Sequence, residues 1–278
     1  MPTFATPLAP VTAPSRTAHP YGLGSVFGWR TGDRWEAGVT WSSLPCEPVL
    51  GRSGAACLDD VSDTIPGLPK PIDQAGGPAL GEATPFQVFG LYRCLSVGVS
   101  ISDAQGWAEA ALIAGEETRA EQALWTGDLG NVPNLSGANG YDAPVDVGTF
   151  TDPVEALAIV EQSLALNIGL GVIRMSTAMA TRLARYLDPR GGRMYTRAVG
   201  TPVVVGAGYP DGAVVGTAPL FGYRGEIFDN SNRVGDLLDR AYNYMNAIAE
   251  RTVLVGFDPC PVYKADVTIA APTGGGAR

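Results

Sequence analysis

The most regular pattern in the chain runs from Ser102 to Gly127. Trp107, Ala111, Ala114 and Thr118 recur at three- and four-residue steps, with Trp125 seven residues beyond. Glu109, Glu116, Glu117 and Arg119 fall on other faces, so the period is that of a helix with one apolar face. Ser102-Asp-Ala-Gln105 has the form of a capping box, Ser102 accepting from the third amide of the helix and Gln105 reaching back. Gly127 supplies the stop. The predicted helix is a rod of roughly 35 Å, long enough to act as a spine. A second start signal, Asp152-Pro153-Val154-Glu155, predicts a helix to about Leu166.

Shorter apolar runs predict strands at Val39-Thr40-Trp41 and at Phe86 to Val99, the latter carrying Val88, Leu91, Tyr92, Leu95 and Val97. Gly171 to Met175 predicts a buried strand, followed by a helix capped by Ser176 and ending near Leu187, before Asp188-Pro189. Thr201 to Val205, Val214 to Phe221 and Glu226 to Phe228 read as strands. Asp236 to Glu250 fits two periods. Leu237, Leu238, Ala241 and Met245 have helical spacing, whereas Tyr242, Tyr244, Asn246 and Ile248 alternate as on a strand. Arg251 to Phe257 and Val262 to Ile269 close the chain as strands, separated by Pro259 and Pro261. This order of elements is α+β.

Two regions have no usable period. Met1 to about Leu23 contains Pro2, Pro7, Pro10, Pro14 and Pro20, which exclude helix and central strand. Pro45 to Pro85 is dense in Gly, Pro and Asp, and a stretch of that length inside a compact domain predicts a projecting loop that packs on a neighbour.

Composition strengthens the impression of a subunit covered by something else. Charged residues make up 17% of the chain, below the roughly 25% usual for soluble domains. The 36 glycines and 22 prolines follow no fixed period, which excludes collagen. The formal net charge is −9, and Lys70 and Lys264 are the only lysines. The positive charge is therefore almost all arginine, which suits interfaces. An acidic balance argues against sequence-reading nucleic-acid binding, which needs a basic stripe, but not against enclosing DNA. No apolar run reaches the ~18 residues of a membrane span, and the N-terminus lacks the basic start and apolar core of a signal peptide. Cys46, Cys57, Cys94 and Cys260 form no CxxC and no framework spacing, so free cytoplasmic thiols are expected. A Cys46–Cys57 bridge is the minor alternative to that default.

The search for chemistry is short. His19, the only histidine, lies in the Pro-rich segment, which removes most histidine-based triads and zinc sites. Gly206-Ala-Gly208-Tyr-Pro-Asp-Gly212 lacks the dinucleotide register and reads as a turn after a strand. Asp59, Asp60 and Asp63, or Glu116, Glu117 and Glu121, could be drawn as paired carboxylates for acid–base work or magnesium. A solvated loop and a solvated helix face account for them more simply. Trp107 and Trp125 read as core or interface residues. No catalytic set, metal site or cofactor site is expected.

Several segments, in order, carry a resemblance: Arg34-Trp-Glu-Ala-Gly-Val-Thr-Trp41 with Pro45-Cys46, Phe86-Gln-Val88 with Cys94-Leu-Ser96, and Glu121-Gln-Ala-Leu-Trp-Thr-Gly127. Pro153-Val-Glu-Ala-Leu157, Gly171-Val-Ile-Arg-Met-Ser176, Gly200 to Tyr209, Ala249-Glu-Arg251 and Val255-Gly-Phe-Asp-Pro-Cys260 continue it. In these the chain resembles the major capsid proteins of tailed bacteriophages, with the Hong Kong phage-type coat fold, and more particularly those of phages infecting actinobacteria. The resemblance implies an N-terminal arm at 1–24 and an extended-loop region at 25–101. It implies a peripheral domain with its spine helix at 102–151 and 246–278, and an axial domain at 152–245. It also implies pentamers and hexamers of this chain in an icosahedral head enclosing double-stranded DNA without sequence-specific binding. Assembly would occur in the bacterial cytoplasm and the product would be the virion, with no membrane involved and no enzymatic activity. Separate scaffolding, portal and decoration proteins are implied partners, because no helical scaffolding segment precedes residue 1. Some members join subunits by a Lys–Asn link, for which Lys70 is the candidate. A nanocompartment shell protein, another virion component (decoration or tail protein) and an enzyme using the carboxylates above are the alternatives.

Overall fold

The computed structural model describes residues 17, 19–32, 34–43, 46, 79–95, 98–230, 238–239 and 241–269. In chain order these form α1 (Leu23–Phe27), β1 (Val39–Ser43), β2 (Ala79–Ala83), β3 (Phe86–Leu95), α2 (Ile101–Thr126) and β4 (Val145–Phe150). Next come α3 (Pro153–Asn167), β5 (Val172–Ser176), α4 (Thr177–Arg182), β6 (Leu187–Arg190), β7 (Arg193–Thr196) and β8 (Pro202–Gly206). The chain ends with β9 (Ala213–Thr217), β10 (Leu220–Arg224), β11 (Phe228–Asp229), β12 (Leu238–Asp239), β13 (Tyr244–Phe257) and β14 (Tyr263–Val267).

The long helix is present, but its start and its buried face differ from the sequence reading. Its N-cap is Ser100, whose hydroxyl accepts from the Asp103 amide at 3.1 Å. Ser102 lies inside the first turn, and Gln105 donates to Asn230 instead of reaching back. Gly127 ends the helix at φ 70°, a left-handed conformation that glycine adopts without a Cβ penalty. The buried face is Ala104, Ala108, Leu112, Glu116, Ala120 and Leu124, not the face of Trp107 and Ala111. Close approach explains the choice: a Cβ on Gly90 of β3 would sit 2.3 Å from the Ala108 carbonyl oxygen. Only small residues on α2 permit that contact, so Trp107 is turned to the flank, 46% exposed, with its ring 4.6 Å from that of Tyr92.

Under α2 lies the sheet built on β13. β3 pairs antiparallel with it from Phe86↔Val253 to Leu95↔Tyr244. β10, β11 and β12 pair along its other edge. The ambiguous segment thus resolves as strand from Tyr244 onward, because ten cross-strand partners on β3 hold it extended. β1 and β2 form a separate antiparallel ladder from Val39↔Ala83 to Ser43↔Ala79. The interval between them, apart from Cys46, lies outside the described residues.

The second sheet has seven strands in the order β4-β14-β9-β5-β8-β7-β6. α3, capped by Asp152 with proline in its first turn, buries Ala156, Leu157, Val160 and Leu164 in this sheet's core. Two expectations change here. The strand anticipated over Val214 to Phe221 divides at Ala218-Pro219 into β9 and β10, which belong to different sheets. The helix anticipated to reach Leu187 stops at Arg182. Leu187–Arg190 instead pairs with β7 around Gly191 and Gly192, both at positive φ, and Pro189 is tolerated because β6 is an edge strand. The final strand β14 lies between β4 and β9 rather than with β13.

The cysteine expectation is corrected. Cys46 is disulfide-bonded to Cys260 across 214 residues of sequence, with Cα atoms 5.3 Å apart, and Cys94 is free. The Cys46–Cys57 pairing is thereby excluded. The partners meet because the end of β1 docks on the end of β13, where Trp41 Nε1 donates to Asp258 Oδ1 at 2.8 Å.

Candidate assembly site

The three helix glutamates, expected in solvent, form the centre of the molecule's polar chemistry. Glu116 and Glu121 are 7% and 2% exposed and Glu117 is half-buried. Each engages a different part of the chain. Glu116 accepts from Arg224 Nη1 at 2.8 Å and Arg251 Nη1 at 2.5 Å, both from the β13 sheet. Glu117 accepts from the Gly24 amide at 3.3 Å and the Trp29 indole at 3.4 Å. Glu121 accepts from the Gly208 amide at 3.0 Å, and the Leu23 amide is also bonded to it.

Glycines make this junction possible. A Cβ on Gly22 would stand 2.0 Å from Glu117 Oε2, and one on Gly206 would stand 2.2 Å from the Glu121 carboxylate. The glycine-rich turn 206–212 is thus a cradle for a carboxylate of this chain, not for a nucleotide. Burial pushes the Glu121 pKa up to about 7; the Gly208 amide opposes the shift and the charge of Glu117 adds to it. Burial also raises that of Glu117, against the pull of Trp29, Gly24 and Arg224. Through bonds from backbone amides and the Trp29 indole, these carboxylates tie distant segments together. One buried cation lies beyond them. Arg174 is 1% exposed, with its guanidinium 5.0 Å from the Phe257 ring centre and, among the described residues, no hydrogen bond from the guanidinium nitrogens. Burial lowers its pKa to about 10.

The face of the β13 sheet opposite α2 is open. Phe89, Leu91 and Leu95 of β3 alternate outward at about 60% exposure, joined by Phe228 of β11. Their cross-strand neighbours are Glu250, Ile248 and Tyr244, and Arg93 lies 4.4 Å over the Tyr244 ring. Monomeric proteins seldom leave such a contiguous apolar surface uncovered. A cleft of about 500 Å³ runs under the β1–β2 ladder, lined by Thr40, Leu80, Glu82, Tyr141, Asp142 and Phe257.

The other sequence candidates are not drawn into this site. His19 is exposed, its Nδ1 accepting from the Tyr21 amide. Trp125 packs edge-on to Tyr209. Lys70, Asp59, Asp60 and Asp63 lie outside the described residues. Among the described residues no three His, Cys, Asp or Glu side chains gather as metal ligands, and no helix is long and apolar enough to cross a membrane.

This combination of a spine helix over a long-stranded sheet, a seven-stranded sheet and a projecting ladder has known counterparts. The capsid of a native GTA particle shares it over 95% of this chain and 96% of that chain, at 13% identity and a TM-score of 0.54. For the empty GTA particle capsid the values are 95%, 96%, 15% and 0.52. The chain has the fold of these capsid subunits. A structure from Mycobacterium phage Bobi agrees over 96% of each chain, at 12% identity and a TM-score of 0.54. No protein-family model matches the sequence, and no curated protein is significantly similar to it. With so little identity, the likeness lies in the order and packing of elements. The capsid fold accounts for the α+β architecture and for both sheets together.

Proposed function

We propose that this chain is a major capsid protein, a structural subunit that assembles into the icosahedral head of a bacteriophage and encloses its DNA. The observation that carries this reading is the apolar outer face of the β13 sheet, on a chain whose fold matches capsid subunits almost end to end. A lone subunit would hold Phe89, Leu91, Leu95 and Phe228 in water; a subunit surrounded by copies would cover them. The division of labour follows the two sheets. α2 with the β13 sheet forms the peripheral unit, and α3 with the seven-stranded sheet forms the axial unit, to which β14 also belongs. The β1–β2 ladder leads into the extended loop, and residues 1–24 act as the arm.

Rings of five and six copies, related head to tail, close the shell. Scaffolding, portal and decoration proteins complete the particle, and its place is the virion after assembly in the host cytoplasm. Lys70 is the proposed donor if subunits are joined covalently. Electron microscopy of the overexpressed protein tests the assignment. Closed icosahedral particles are expected, and a monodisperse monomer at high concentration would overturn it. Particles filled with a host enzyme instead of DNA would redirect the reading to a nanocompartment shell.

A further inference from the structure

The seven-stranded sheet ends in two edges of opposite charge. At one end, the β6–β7 hairpin and the residues flanking it, back to the last residue of α4, carry Arg182, Arg185, Arg190, Arg193 and Arg197, all exposed, with Asp188 the single acid of that stretch. Arg182 is paired with Asp211 at 2.8 Å and Arg190 with Asp188 at 2.6 Å. Arg185, Arg193 and Arg197 have no ion pair among the described residues. At the other end, Asp146 of β4, Asp142 in the segment leading into it, and Asp152 and Glu155 at the start of α3 are exposed and likewise without an ion pair among the described residues. No lysine or arginine occurs between Arg119 and Arg174. Lys264, opposite Asp146 in register, pairs with Asp266 of its own strand at 2.8 Å.

These edges cannot neutralise each other within one chain. Seven strands at about 4.8 Å spacing put them roughly 29 Å apart, several times the ~8 Å screening length at physiological salt. Two copies side by side would bring them together. We propose that the arginine edge at β6–β7 of one copy docks on the acidic edge at β4 of the next, a head-to-tail contact that repeats around a ring. This deepens the capsid reading and rests on it, and the occupant is a second copy of this chain. Each edge also offers apolar area for the centre of such a contact: Tyr186 and Val199, 46% and 62% exposed, beside the arginines, and Val145, 47% exposed, on the acidic edge.

The test uses two full-length charge-swapped variants, R193E/R197E and D142R/D146R, whose sites are all exposed. The first replaces two of the five arginines of one edge with acids, and the second replaces two of the four acids of the other edge with arginines, so each variant loses the charge contrast between its edges. Each alone is expected to lose self-association at least about tenfold by sedimentation, because attraction between the edges is cancelled and like charges meet at the substituted positions. An equimolar mixture is expected to associate, and to dissociate between about 50 mM and about 500 mM salt. All four changes in one chain should restore self-association, which guards against damage to either edge. Single variants that associate like the wild type, or a mixture of folded variants that does not associate, would overturn the proposal. So would a loss confined to DNA affinity in R193E/R197E, which would assign the arginines to nucleic acid. The two readings fail separately. Wild-type rings that never close into shells would refute the capsid assignment and leave this contact standing. Wild-type shells indifferent to the swaps would do the reverse.

Discussion

The carboxylate of Glu121, near the C-terminal end of the long helix, accepts the backbone amide hydrogen of Gly208 at 3.0 Å. This bond joins the two halves of the fold, since Gly208 follows β8 of the seven-stranded sheet while α2 covers the other. The same carboxylate holds Leu23 of the N-terminal segment. One buried acid therefore fixes three elements that lie far apart in sequence.

Its protonation should set the pH dependence of subunit stability. The pKa of Glu121 rises from 4.5 to about 7 on folding, so the folded state binds the proton more tightly. The contribution is fully present below about pH 4.5 and is lost as pH rises through about 7. A rise from about pH 5 to about pH 8 should cost up to about 3 kcal/mol in urea unfolding of dissociated subunits. Glu121→Gln should flatten that slope, and an unchanged slope in the variant would refute the assignment.

Glycines on α2 and glycines facing it should respond in opposite ways. A Cβ on Gly208 would lie 2.4 Å from the Thr118 carbonyl oxygen and 2.5 Å from Glu121 Cβ, whereas Gly115 on the helix has nothing within 4 Å. Gly208→Ala should destabilise the subunit by about 1–3 kcal/mol through overpacking. Gly115→Ala should stabilise it by about 0.5–1 kcal/mol through helix propensity. Thermal or urea denaturation of the pair measures the contrast.

The disulfide should anchor the base of the projecting ladder. Peptide mapping without reductant is expected to recover the fragments holding Cys46 and Cys260 as one linked species. Cys260→Ser should lower unfolding stability by about 2–5 kcal/mol, because so long a closed loop is released in the unfolded chain. Recovery of both fragments as free thiols from the oxidised particle would contradict the pairing.

Substitutions on the open sheet face should separate folding from assembly. Phe89 and Leu91 are about 60% exposed, so Phe89→Asp or Leu91→Asp should change subunit stability by no more than about 0.5 kcal/mol. Particle yield should nevertheless collapse, because a charge would be desolvated in each contact. Normal particles from these variants would show that this face stays in solvent.

Much of the local structure was legible in the sequence. Asp152-Pro153 marked the start of α3, Gly127 the end of α2, and the apolar runs at 39–41, 171–175 and 201–205 the strands, to within a residue or two. Those signals act within a few residues, through side chains that cap amides and glycines that accept positive φ. The resemblance carried by ordered short segments pointed to the capsid fold.

The candidate site was far less legible. Helical spacing placed Glu116, Glu117 and Glu121 on the long helix but could not show that arginines 224 and 251 and the amides of residues 23, 24 and 208 would surround them. Alanine at nearly every turn of α2 left its buried face open, and only the backbone of Gly90 selected Ala104 and Ala108 over Trp107.

The sequence by itself determined where several elements begin or end, because turns, caps and periodicity are decided by neighbours along the chain. Tertiary structure alone decided three other matters: the burial of the acid row, the joining of Cys46 to Cys260, and the division of 213–224 between two sheets. Each depends on contacts across tens to hundreds of residues, and the free energy of those contacts comes from partners that local spacing does not encode.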